Sequence, residues 1–125
     1  MNFVSWILFI AGAGLFMFAA PIAVLSEETA RPSNPYSGNK EAAVEGGSLL
    51  NQYCAHCHGQ WAEQGERVRD LRRLRIRYGA DAIVTFHKTV NNGRLEKGMP
   101  VWKGVLREDE LWKIFTFLET VQSED

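Results

Sequence analysis

The hexapeptide CAHCHG, Cys54 to Gly59, contains both cysteines of this 125-residue chain, with a histidine directly after the second. A structural zinc site needs four ligands, usually two cysteine pairs or one pair with two distant histidines. The only histidine outside the hexapeptide is His87, so a closed zinc site would lack a ligand. A redox dithiol would need a strand–helix–strand context that the flanking sequence does not show, and a plain disulfide would leave His58 unexplained. The hexapeptide therefore argues against zinc.

The spacing C-x-x-C-H is the signature of covalent attachment of a c-type haem. Cys54 and Cys57 can each form a thioether with a vinyl group of the porphyrin. The turn that joins them then directs His58 towards the iron as an axial ligand. The motif thus predicts one covalent haem c, and it requires a ligand for the opposite side of the iron.

Met99 is the candidate for that second axial ligand. Met1 and Met17 lie in an apolar leader, which leaves Met99 as the methionine of the globular part. Because Pro100 follows it directly, we expect Met99 in a rigid loop. A thioether ligand favours the reduced iron and raises the reduction potential. Ligation by His58 and Met99 predicts electron transfer, with no substrate bond made or broken.

A ligand-binding sensor or a peroxidase-like enzyme is the alternative from another class. Either function would need an open distal site, with Met99 away from the iron. His87 is the only histidine left to serve as an acid or base there. The sequence therefore favours an electron carrier over an enzyme.

An uncharged leader precedes the motif. Residues 3–25 contain no charged side chain, and all 14 basic and 15 acidic residues follow them. About 20 apolar residues can span a bilayer as a helix, whereas a cleaved signal peptide usually has a basic start and a shorter apolar core. We expect residues 1–26 to be a signal peptide or a membrane anchor, with both outcomes open. Either outcome places the rest of the chain in the periplasm, an oxidising compartment.

The remaining chain predicts a short linker and one small helical domain. Residues 27–40 are rich in Ser, Pro, Asn and Gly and predict a linker or a strap, and residues 41–125 predict one domain. Helices are expected at 41–53, 81–90 and 107–122, and no alternating strand pattern is sustained. The last helix has an apolar stripe and an acidic first turn. The stripe comprises Leu111, Ile114, Phe115, Leu118 and Val121.

In this order, GGSLLNQYCAHCHG at 46–59, the Met99 loop and DELWKIFTFLETV at 109–121 resemble the class I c-type cytochromes. The resemblance implies an all-α, small cytochrome c fold, in which N- and C-terminal helices cross around a covalently bound haem. It places Gly46 at the helix crossing and makes Phe117 its aromatic partner.

A narrower similarity concerns the flanking segments. NPYSGN at 34–39, A-x-E-G at 43–46, N-Q-x-C-A-x-C-H-G at 51–59 and R-D-L-R at 69–72 resemble the small c550-like cytochromes associated with quinoprotein (PQQ-dependent) alcohol dehydrogenases. This similarity implies such a dehydrogenase as electron donor. The acceptor would be an oxidase or another cytochrome.

One departure from the family pattern concerns the proximal histidine. Family members usually have a Gly-Pro or Pro-Asp-Leu stretch after the haem motif, and its carbonyl accepts the other ring N–H of the histidine. This chain has no proline between Cys54 and Gly98. The group that orients His58 therefore stays open, although another backbone carbonyl could do so.

A run of arginines follows the motif in a chain whose net charge is −1. The run of arginines is interpreted either as a solvent-exposed face or as a functional cluster. In the second case one or two arginines hold the haem propionates, and the others steer an acidic redox partner. Nucleic acid is excluded by the compartment and by the absence of an accompanying motif. The six arginines are Arg67, Arg69, Arg72, Arg73, Arg75 and Arg77.

Overall fold

The computed structural model describes residues 30–63, 67 and 69–124, so the expected signal peptide or anchor at 1–26 lies outside the described residues and is not tested. The α-helices of this part are α1 (Lys40–Tyr53), α2 (Ala55–His58), α3 (Leu74–Tyr78), α4 (Ala82–Asn92) and α5 (Glu108–Thr120). Single 3-10 turns occur at Gln60–Ala62, Leu71–Arg73, Gly79–Asp81 and Leu95–Lys97. The described residues contain no strand, only two isolated bridges, which confirms the expected all-α fold. None of these helices is long and apolar enough to cross a membrane.

α1 and α5 cross at Gly46. A Cβ atom on Gly46 would lie 1.8 Å from the backbone oxygen of Lys113, so only glycine allows this approach. One residue further along α1, a Cβ on Gly47 would lie 3.1 Å from the Phe117 ring. Leu50 of α1 and Leu118 of α5 are fully buried beside the crossing. The structure thus has the crossing of terminal helices that the sequence resemblance implied.

α5 is the most enclosed helix of the described chain. The Glu110 carboxylate accepts the backbone N–H of Arg107 at 2.8 Å and so satisfies a donor at the start of the helix. The predicted stripe is buried as far as Leu118, whereas Val121 follows the end of the helix and is half-buried. Burial also includes Trp112, Thr116 and Phe117, which lie outside the stripe. α5 is therefore covered on more than one side.

Part of this cover comes from residues 30–39, which precede α1. The Asn34 amide donates to the Thr116 hydroxyl at 2.9 Å and to the Glu119 carboxylate at 3.1 Å. Arg31 forms an ion pair with Asp81 at 2.9 Å, just before α4. The segment therefore lies against α5 and the start of α4. It ends at Asn39, whose side chain accepts the Ala42 N–H and caps α1.

α3 was not among the predicted helices. It is five residues long, and Leu74 is its one buried residue. The chain after α5 holds it in place, because the Gln122 side chain accepts the Arg75 N–H at 2.9 Å and donates to Leu71 O at 2.9 Å. A second link joins Ser123 N–H to Arg72 O at 2.7 Å.

Candidate functional site

The two cysteines flank a single helical turn. α1 ends at Tyr53, and the Cys54 N–H still donates to Leu50 O at 2.8 Å, so α1 leads directly into α2. Both cysteines are thiols; Cys54 is half-buried and packs against the core, whereas Cys57 is exposed. Burial raises the pKa of the Cys54 thiol to about 11, and the neighbouring Cys57 adds to the shift. Side chains three residues apart on one helical turn are neighbours, as attachment to one porphyrin requires.

His58 is the last residue of α2, and its ring is oriented by the backbone. Its Nδ1 lies 2.8 Å from the carbonyl oxygen of Arg69. Because a carbonyl oxygen only accepts hydrogen bonds, Nδ1 must carry the proton. In a neutral imidazole the lone pair then resides on Nε2, the nitrogen available to a metal. The group that orients His58, which the sequence left open, is the Arg69 carbonyl.

Met99 lies in a loop that backbone hydrogen bonds hold closed. Its N–H donates to Arg94 O at 3.0 Å, and its own oxygen accepts the Arg94 N–H at 2.9 Å. Gly93, with φ of 69°, makes this approach possible, because a Cβ there would lie 2.9 Å from Met99 O. The expected rigid loop is thus present, and its bonds to Arg94 stiffen it together with Pro100.

The loop and the end of α1 pack against the same hydrophobic core. Met99 is half-buried there, as are Cys54, Tyr53 and Trp102. The rings of Tyr53 and Trp102 meet edge to face, with centroids 6.0 Å apart. Trp102 N–H also donates to Val90 O of α4 at 2.8 Å. The structure therefore brings the thioether loop and the cysteine turn to one apolar centre.

The arginine segment, defined here as residues 69–77, is not a uniform solvated face. Arg72 is half-buried and pairs with the Asp70 carboxylate, its Nε lying 3.3 Å from Oδ1. Arg77 donates to the backbone oxygen of Asp70 and, at 3.4 Å, to that of Arg73. Arg75, like Arg67 just before the segment, is exposed. Arg72 and Arg77 therefore make contacts within the segment, although Arg77, like Arg69 and Arg75, is exposed.

Asp70 was not predicted as a site residue. It is only 7% exposed, and its side chain accepts the Arg72 N–H at 2.9 Å at the start of the 3-10 turn. The available signal was an aspartate immediately before a helical run, the usual position of an N-cap. The buried carboxylate stands next to the carbonyl that binds His58.

His87 lies away from this arrangement, as expected. Its Nε2 is 2.7 Å from the Glu108 carboxylate, and its ring stacks on Trp112 at a centroid distance of 4.9 Å. It therefore links α4 to the start of α5. Over the described residues no group of three or more His, Cys, Asp or Glu side chains could hold a metal ion.

The described donors fit a covalently bound haem. Two thiols share one turn, the imidazole at 58 has its Nδ1 proton engaged by a carbonyl, and a half-buried thioether lies at the same core. These are the residue types that attach and ligate haem c. Buried aromatic and aliphatic side chains surround them.

Comparison with known proteins agrees with this chemistry. The family model described as cytochrome c oxidase, cbb3-type, subunit III matches residues 41–118. Cytochrome c550 of Pseudomonas aeruginosa is 36% identical over 102 residues, which cover 76% of this chain and 69% of that protein. No solved structure matches the chain. The chain therefore belongs to the c-type cytochromes, and it is a class I, haem c electron carrier that exchanges electrons with redox proteins and is not an enzyme.

Proposed function

We propose that this protein carries one electron in the periplasm on a haem c attached to Cys54 and Cys57 and ligated by His58 and Met99. When bound, haem c supplies a one-electron centre whose iron alternates between Fe(III) and Fe(II). The observation that carries the proposal is the 2.8 Å contact between His58 Nδ1 and Arg69 O. It fixes the tautomer in which Nε2 can ligate iron.

The cysteine turn provides the attachment. Cys54 packs against the core and Cys57 is exposed. These two residues would hold the haem through one thioether at the core and one at the protein surface. An electron carrier needs attachment near the surface, because a partner must come close enough for electron transfer.

Met99 would close the second axial position. Its loop is braced by two backbone hydrogen bonds to Arg94, and its side chain is half-buried. A thioether held in this way would ligate the iron and would keep external ligands away from it. This supports a carrier over a sensor or a peroxidase-like enzyme.

Export to the periplasm is supported by the sequence before the domain. Residues 3–25 are uncharged and apolar, and an attachment motif for haem c belongs with an oxidising compartment. Cleavage of this leader and its retention as an inner-membrane anchor are both compatible with the proposal.

We further infer that a PQQ-dependent alcohol dehydrogenase is the donor and that an oxidase or another cytochrome is the acceptor. The c550-like segments and the cytochrome c550 relative support this pathway. Exposed Arg67, Arg69 and Arg75 lie in the chain near the carbonyl that binds His58. Charges in such a place would steer an acidic partner towards the site.

Substitution of Met99 tests the axial ligation. In Met99→Ala the sixth position loses its thioether, so the ferrous protein should bind carbon monoxide readily. Leu95→Ala, an exposed site in the same loop, is the control and should behave as the parent protein. The measurement is the change in absorption when carbon monoxide is added after dithionite. A Met99→Ala protein that binds carbon monoxide no better than Leu95→Ala would refute ligation by Met99.

A further inference from the structure

Asp70 is held through both its side chain and its backbone. Its Oδ1 accepts the N–H of Arg72 at 2.9 Å and lies 3.3 Å from Arg72 Nε. Its backbone oxygen accepts a hydrogen bond from the Arg77 guanidinium. The residue is 7% exposed. Burying a carboxylate costs free energy unless its charge is paired and its oxygens accept hydrogen bonds.

These contacts also fix the preceding carbonyl. The peptide between Arg69 and Asp70 is planar, so the position of the Asp70 nitrogen and Cα determines where the Arg69 oxygen points. That oxygen accepts the His58 Nδ1 proton at 2.8 Å. A proline in this stretch would restrain the backbone through its fixed φ, but none occurs between Cys54 and Gly98. The bonds of Asp70 to two arginines supply a comparable restraint.

The restraint extends to the core of the domain. Gln122 accepts the Arg75 N–H and donates to Leu71 O at 2.9 Å and to Leu118 O of α5 at 2.8 Å. The arginine segment is thereby tied to the most buried helix. The Arg69 carbonyl is therefore fixed relative to α5 as well as within its own turn.

We propose that Asp70 and Arg77 are positioning residues, which hold the Arg69 carbonyl against His58 and thereby lower the reduction potential of the haem. The proposal rests on the proposed function, in which His58 ligates the iron. A hydrogen bond from Nδ1–H to a carbonyl makes the imidazole a stronger electron donor. A stronger donor stabilises Fe(III) relative to Fe(II), so weakening this bond raises the potential.

The direction of the change in reduction potential distinguishes a positioning role from a purely electrostatic effect of the removed charge. Removal of the Asp70 carboxylate in Asp70→Ala raises the potential under either explanation, because an anion near the iron favours Fe(III). Removal of the Arg77 cation in Arg77→Ala lowers the potential if only charge matters. If Arg77 acts by holding the Asp70 backbone, the same variant raises it. Arg77→Ala is therefore the deciding variant.

Two further variants serve as controls. Arg75→Ala removes the same charge from an exposed position of the same segment, and it should leave the potential unchanged or lower it. Asp70→Asn removes the charge but keeps an oxygen for the Arg72 N–H, so its shift should be smaller than that of Asp70→Ala. If Asp70→Ala does not accumulate, Arg77→Ala and Asp70→Asn still decide the question.

The test is a spectroelectrochemical titration of the holoprotein, together with NMR measurement of solvent exchange of the His58 Nδ1 proton in ferrous protein labelled with ¹⁵N-histidine. In Arg77→Ala we expect the Fe(III)/Fe(II) equilibrium to change on the order of tenfold, about +59 mV for a one-electron couple, and the ring proton to exchange faster. A potential at or below that of the parent, with unchanged exchange, would overturn the proposal.

Measurements on the parent protein distinguish a failure of this inference from a failure of the proposed function on which it rests. A parent without covalent haem, or with a ligand other than His58, would contradict the proposed function. Exchange of the His58 ring proton in the parent and in Arg77→Ala would still show whether Arg77 holds the carbonyl. If the parent has the expected haem but the reduction potential of Arg77→Ala is not higher than that of the parent, only the positioning role is contradicted.

Discussion

Cys54 and Cys57 lie in one helical turn but differ in their surroundings. Cys54 packs against the core and its thiol has a raised pKa, whereas Cys57 is exposed. A thioether at Cys54 would be shielded from solvent and one at Cys57 would lie at the surface. Both would nevertheless bind the same porphyrin, so each bond should suffice to retain it.

Serine substitutions test this attachment. Cys54→Ser and Cys57→Ser should each keep part of the haem through the remaining thioether, and the double variant should release all of it into acid–acetone. Ala55→Ser, which adds a hydroxyl between the cysteines without removing a thiol, is the matched control and should keep its haem. Retention of haem by the double variant through extraction would contradict attachment at these residues.

The orientation of His58 shows what a residue pattern can and cannot predict. Cys54, Cys57 and His58 were predicted as haem-binding residues from their spacing, because attachment and ligation depend on side chains that are close in sequence. The Arg69 carbonyl could not be predicted from the sequence, because every residue has a carbonyl. Only the folded backbone determines which carbonyl faces Nδ1 of His58. The restraint from Asp70 and Arg77 likewise depends on bonds between backbone and side chain.

At the scale of elements, the crossing of α1 and α5 determines the architecture. The approach at Gly46 is so close that a methyl group would lie 1.8 Å from Lys113 O, a backbone atom that cannot move independently. The helices would have to separate to admit a side chain. This separation would also disturb Leu50 and Leu118, which are fully buried at the crossing.

Gly46→Ala should therefore destabilise the protein, although alanine is the better helix former. We expect a loss of about 3 kcal/mol in the free energy of unfolding, at the upper end of the cost of overpacking. Ser48→Ala, on an exposed face of the same helix, should change stability by less than about 0.5 kcal/mol. Denaturant unfolding measures both. Equal stability of the two variants would mean that the helices do not cross as described.

The bounds of helices whose own sequence contains caps and apolar periodicity were predicted within a few residues. A helix without these features was not predicted. α1 and α5 begin and end within two residues of the predicted 41–53 and 107–122, because caps and apolar periodicity lie in their own sequence. α3 has one buried residue, Leu74, and depends on Gln122, 47 residues after Arg75. No pattern within the arginine-rich stretch predicts a contact so distant in sequence.

At the scale of the whole molecule, charge is distributed unevenly in a chain that is nearly neutral. Six of its 14 basic residues lie at 67–77. Arg72 and Arg77 form bonds to Asp70, and the carbonyl of Arg69 binds His58, whereas Arg67 and Arg75 are exposed and take no part in these contacts. Replacing Arg67 and Arg75 removes exposed charge without disturbing the contacts of Asp70 and His58, so these two residues are the ones to neutralise in a test of steering.

Arg67→Gln combined with Arg75→Gln should slow reduction of the ferric protein by a PQQ-dependent alcohol dehydrogenase with alcohol, roughly tenfold at low salt. The difference from the parent should disappear as salt rises, because charges more than about 10 Å apart are largely screened at 0.1 M. Lys40→Gln combined with Lys88→Gln removes the same charge from other exposed positions. Equal slowing in both double variants would contradict local steering, and no reduction of the parent would exclude this donor.

The most direct test of the central claim is the absorption spectrum of the dithionite-reduced parent protein, recorded with and without carbon monoxide. Axial ligation by His58 and Met99 leaves no open position on the iron, so the spectrum should show a six-coordinate, low-spin ferrous haem c that carbon monoxide does not change. An immediate shift of the bands on addition of carbon monoxide would show an open distal site. That result would contradict an electron carrier with closed axial ligation.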